Sequence, residues 1–96
     1  MAQVAEVDVQ ERIDFLLDYL LRAWRELPEV ERYIDRWELV EQIDYIEEWA
    51  PKMALMDELR RYASDGMLTD RQQERYRDLL SLVRKYRATL EGLRRS

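Results

Sequence analysis

Apolar residues recur along this chain at helical rather than strand spacing, and they divide it into several helices. Ile13, Leu17, Leu20, Trp24 and Leu27 follow one another at intervals of four and three, the repeat of one face of an α-helix. Phe15, Leu16, Tyr19 and Leu21 widen the stripe and leave a narrow polar remainder of Glu11, Asp14, Asp18, Arg22 and Arg25. A helix this apolar has to be covered on more than one side. Asp8 and Glu11 have the spacing of a capping box, in which each side chain satisfies a free amide of the first turn. This predicts a helix over 9–26, with residues 1–7 frayed ahead of it.

Pro28 reads as a first-turn proline, whose fixed φ suits a helix start and whose missing amide is not needed there. Asp35 and Glu38 repeat the capping-box spacing, with Ile34 and Leu39 placed as a hydrophobic staple. The region therefore splits into a short helix over 28–34 and a longer one over 36–49, a single helix bent at Asp35 being the alternative. Leu39, Ile43, Ile46 and Ala50 form the expected core seam of the longer helix. Pro51 marks a new start or a sharp kink. Met53, Met56, Leu59 and Ala63 then carry an apolar stripe to Gly66, which suits the left-handed position after a helix end.

Thr69 and Gln72 make a third capping box ahead of a helix over 70–94. Tyr76, Leu79, Val83, Tyr86, Leu90 and Leu93 alternate spacings of three and four, a heptad seam flanked by Leu80 and Leu82. Residues 52–94 thus read as an αα-hairpin closed by a short Ser-Asp-Gly turn. The predicted fold is all-α: a single domain, 1–96, forming an antiparallel bundle of four to five helices that ends in this hairpin. Tyr33-Ile-Asp-Arg-Trp37 and Tyr45-Ile-Glu-Glu-Trp49 echo one another twelve residues apart; that interval is not a whole number of turns, so the two copies do not share a face.

Composition sharpens this picture. Two glycines and two prolines in 96 residues are too few for the turns of a strand-rich domain. The absence of cysteine removes disulfides, thiolate metal sites and thiol nucleophiles. No apolar run is long enough to cross a bilayer and no secretion signal is visible, so a cytoplasmic location is expected by elimination. The net charge of −5 conceals an asymmetry. Residues 1–50 carry fourteen acids and five bases (−9), whereas residues 51–96 carry seven acids and eleven bases (+4). The opposite halves are expected to attract one another within the fold.

Histidine is also absent, which removes the usual general base and the commonest metal ligand. Ser64, Ser81, Ser96, Thr69 and Thr89 have no activating partner in view, so the chain is expected not to be an enzyme and to carry no cofactor. Glu41, Asp44 and Glu48 share one helical face. A Mg²⁺-dependent hydrolase built on them is one alternative, but a solvated acidic face or a docking surface for a basic partner is the simpler reading. Arg77, Arg84 and Lys85 belong to a basic last helix. Nucleic-acid binding through it is a second alternative, opposed by the acidic balance of the whole chain.

Aromatic residues supply the remaining clue. Three Trp and six Tyr are many for so small a bundle. A core with polar tips at its rim is the simpler reading. Trp, Tyr and Arg are also the types that dominate binding hot spots, which makes Phe15, Tyr19, Trp24, Trp37, Tyr45 and Trp49 the candidate interface. The expected function is a non-enzymatic protein–protein interaction module: a small regulatory or adaptor subunit of bacterial type. An antitoxin-like role, suggested by size and charge alone, is one form of it. The expected partner is a protein, either a second copy in a homodimer through the first helix or the C-terminal hairpin, or a different chain. No small-molecule substrate and no membrane role are indicated.

Overall fold

The computed structural model describes residues 2–95, and side chains over 8–95. Helix α1 runs Ala2–Tyr33, a 3-10 turn follows at Ile34–Arg36, and α2 (Leu39–Glu47), α3 (Trp49–Ser64) and α4 (Asp70–Arg95) complete the chain. No strand occurs among the described residues. Three long helices, α1, α3 and α4, make the bundle, and the nine-residue α2 contributes no fully buried residue to it. The expected four to five helices are therefore realised as a three-helix bundle with one short flanking helix.

Chain direction follows from the contacts between helices. Arg12 pairs with Glu58 while Trp24 packs on Trp49, so α1 and α3 run antiparallel. Asp14 meets Gln72 and Asp18 meets Arg75, so α1 and α4 run parallel. Both α3 and α4 pack chiefly on α1 rather than on each other. This central position accounts for the wide apolar stripe of α1. Ile13, Leu16, Leu17, Leu20, Leu21, Trp24 and Leu27 are all buried, because two neighbours cover adjoining arcs of the same helix. The 32 residues of α1 span about 48 Å at helical rise and set the longest dimension of a molecule measuring 50 × 24 × 17 Å.

Several expected elements are realised. Leu79, Leu90 and Leu93 are buried along the α4 seam, with Tyr76, Val83 and Tyr86 packed beside them. Thr69 N–H donates to Gln72 Oε1 at 2.9 Å and Gln72 N–H to Thr69 Oγ1 at 3.2 Å, completing the capping box. Gly66 adopts φ 71°, and the bonds from Gly66 N–H to Ala63 and from Met67 N–H to Tyr62 form a Schellman motif. Pro51 lies in the first turn of α3. Its ring excludes the carbonyl four residues earlier, that of Glu47, and there α2 ends.

Other expectations are corrected. α1 does not begin at Val9 but extends through Asp8 from Ala2, so the Asp8 capping box is not a helix start; the expected fraying over 1–7 concerns side chains outside the described residues. Pro28 sits inside α1 rather than opening a new helix. An interior proline costs about 3 kcal/mol, but burial of Leu27 before it and Ile34 after it holds the chain helical to Tyr33. Neither the short helix over 28–34 nor a continuous bent helix over 28–49 occurs. The Asp35 box and the Ile34–Leu39 staple do not form either: Ile34 is buried whereas Leu39 is 71% exposed, and α2 has no side-chain cap at Glu38.

Candidate functional site

The largest reversal concerns which face of α2 turns inward. Leu39, Ile43 and Ala50 of the expected seam are exposed and Ile46 is only half-buried. The inward positions are Tyr45, Ile46 and, at the start of α3, Trp49, which is fully buried. Trp37 packs edge-on against Tyr45 at 5.7 Å, Tyr45 against Trp49 at 6.5 Å, and Trp49 against Trp24 at 4.9 Å. This run of rings ties α2 to the middle of α1. Aromatic side chains bury more area than aliphatic ones and gain from edge-to-face packing, so they set the rotation of the short helix. Burial pushes the Tyr45 phenol above its usual pKa, an effect partly offset by the Trp49 indole.

The consequence is an uncovered aliphatic stripe. Leu39, Val40 and Ile43 are 71%, 59% and 44% exposed and lie on one side of α2. Beside them stand Glu41, Asp44 and Glu48, all exposed; Glu48 makes a loose 3.8 Å pair with Lys52. No base occurs between Arg36 and Lys52, while Glu38, Glu41, Asp44, Glu47 and Glu48 lie within that span. Among the described residues, no three carboxylates converge closely enough to share a metal ion. The outer face of α2 is thus aliphatic along one edge and acidic along the next.

Of the aromatic residues expected at an interface, Trp24 and Trp49 are interior and offer no surface to a partner. Trp37 and Tyr45 are half-buried in the ring run that anchors α2. Phe15 and Tyr19 remain exposed on α1 at 49% and 38%, their rings tilted against one another 5.8 Å apart, with Arg12 over Phe15 and Lys52 over Tyr19. The structure therefore separates the six residues into a core group and a small surface pair. Leu39, Val40 and Ile43 form the surface that sequence reasoning missed. The available signal was that α2 is apolar on two faces, more than a nine-residue helix on the rim of a bundle can bury.

The basic residues Arg77, Arg84 and Lys85 are exposed on α4. Lys85 lies over the Tyr86 ring at 5.3 Å and Arg84 approaches Ser81 at 3.4 Å. Arg77 and Gln73 line a groove of about 330 Å³ together with Ala63, Leu68, Tyr76 and Leu80. A larger, polar cleft of about 620 Å³ lies between α1 and the start of α4. Its charged and amide groups are largely engaged with one another, Asp14 with Gln72 and Asp18 with Arg75.

Comparison with protein families, characterised proteins and solved structures gives no match. Among the described residues, no helix is long and apolar enough to cross a membrane.

Proposed function

We propose that this chain is a protein-docking module of a small regulatory or adaptor kind, and that α2 is its contact helix. The observation that carries the reading is the exposed Leu39, Val40 and Ile43 stripe on a helix with no fully buried residue of its own. An isolated exposed leucine is ordinary. Three adjoining aliphatic side chains on one short helix, rimmed by carboxylates, have the form of a helix that lays its apolar edge into a partner's groove. The acidic rim favours a partner surface rich in Arg or Lys and disfavours acidic ones. Binding, not catalysis, is the activity proposed, and neutralisation of a basic protein in the manner of an antitoxin is one form it can take.

The test compares tagged wild-type chain with a Leu39→Ser, Val40→Ser, Ile43→Ser variant, each recovered from cells that express it. All three side chains are exposed, so the variant is expected to fold with an unchanged helical circular-dichroism spectrum. A protein retained in stoichiometric amount by the wild type and lost from the variant is the expected result. Equal recovery by both overturns the reading, as does retention of no protein at all, a second, untagged copy of this chain included.

A further inference from the structure

The α2 face has its chemical complement elsewhere on the same chain. The groove lined by Ala63, Leu68, Tyr76 and Leu80 is mostly apolar, with Gln73 and Arg77 as its polar members. Beyond it, the exposed side of α4 continues with Arg84, one heptad after Arg77 and so on the same face. The stripe on α2 is aliphatic and bordered by Glu41 and Asp44. One surface offers an apolar ridge with acids beside it, the other an apolar furrow with arginines beside it.

The two cannot satisfy each other within one molecule. The α2–α3 junction lies along the flank of α1 formed by Tyr19, Ala23 and Glu26, where Tyr45, Glu48 and Lys52 border a shared cleft. α4 lies along a different flank, where Asp14 and Asp18 meet Gln72 and Arg75. No extensive contact joins α2 to α4. The charge asymmetry of the chain is only partly used internally: Asp18–Arg75 pairs an acid of the first half with a base of the second, whereas Glu41, Asp44 and Arg77 have no ion-pair partner among the described residues.

Resting on the reading of α2 as a docking helix, we infer that its partner is a second copy of this chain. The Leu39/Val40/Ile43 edge of one copy seats in the Tyr76/Leu80 groove of the next, with Glu41 and Asp44 against Arg77 and Arg84. This contact joins two different surfaces, so each copy both donates a helix and presents a groove, and assembly closes only if the rotation between copies allows it. The net charge of −5 does not prevent this. At physiological salt the screening length is about 8 Å, short against a molecule 50 Å long, so the facing charges of the contact outweigh the remote ones.

Light scattering over a concentration series at physiological salt tests the inference, using wild-type chain and two charge-reversed variants. One carries Glu41→Arg and Asp44→Arg, the other Arg77→Glu and Arg84→Glu. All four side chains are exposed, and a thermal melt of each variant establishes that it is folded. The wild type is expected to exceed the single-chain mass of 11.8 kDa and to rise with concentration. Each variant alone is expected to weaken association by at least about tenfold, through like charges brought face to face. An equimolar mixture of the two should recover it, because each reversed helix then meets a reversed groove.

Single-chain mass for the wild type up to millimolar concentration overturns the inference, as does undiminished assembly of either folded variant or failure of the mixture to recover. If the wild type stays at single-chain mass while the recovery experiment above retains a different protein on Leu39, Val40 and Ile43, only the second-copy assignment fails. If nothing is retained either, the docking reading fails with it.

Discussion

The Gln72 side-chain amide donates to Asp14 Oδ1 at 2.9 Å while its oxygen accepts from the Thr69 backbone N–H at 2.9 Å. One side chain thus closes the N-terminus of α4 and holds α4 in register against α1. Gln72 is 4% exposed, so its side-chain bonds are not readily replaced by water. Gln72→Ala is expected to destabilise the fold by about 1–3 kcal/mol, since it removes half of the cap and the bridge to Asp14 together. Thr69→Ala, which loses only its half of the cap, should cost less. Urea unfolding of the two variants checks the order; an equal loss would mean that the bridge to Asp14 contributes nothing.

Gly66 has room for a side chain but not the backbone for one. Beyond its neighbours in the chain, no atom of the described residues lies within 4 Å of a Cβ built on it, yet its φ is 71°. Gly66→Ala should therefore cost about 1–2 kcal/mol through backbone conformation alone. For a domain of this size that lowers Tm by about 4–8 °C per kcal/mol. Gly66→Asn, whose side chain tolerates the left-handed region better, should recover part of the loss in the same melt.

Pro28 is the opposite case. It interrupts the hydrogen-bond ladder of α1 without ending the helix, so Pro28→Ala is expected to raise stability by about 1–3 kcal/mol. An upward shift in the denaturant midpoint with unchanged slope is the expected observation. A downward shift would mean that the proline shapes the path of α1 toward the 3-10 turn.

Arg12 and Glu58 form a two-bond pair at 2.8 Å and 2.8 Å that joins α1 to α3. The hydrogen bond from Arg12 holds the Glu58 carboxyl below its ordinary pKa, against an opposing effect of burial. A lowered folded-state pKa means stability that is present above the unfolded pKa and lost as pH falls through the folded one. Glu58→Gln should therefore cost up to about 1 kcal/mol at neutral pH, as expected for a partly exposed pair. The gap between variant and wild type should close as the pH falls through the carboxylate range. Melting curves from neutral to acidic pH read this directly, and a gap that persists in acid would contradict it.

What was legible in the sequence is what short-range chemistry decides. The Schellman turn at Gly66, the Thr69–Gln72 box and the break at Pro51 each depend on groups within five residues of one another, and each is present. The seams of α1 and α4 were legible because each of these helices has one dominant apolar arc, and burial has no competing choice. What only the tertiary structure decided lies where two outcomes of similar local merit compete. At Pro28, the local preference for a helix start lost to burial of Leu27 and Ile34 on either side. On α2, aliphatic and aromatic faces each satisfied the helical repeat. The ring run from Trp37 through Tyr45 and Trp49 to Trp24 took the interior and left Leu39, Val40 and Ile43 outside. No local rule ranks two apolar faces of one helix, because the ranking depends on what the rest of the chain brings to meet them.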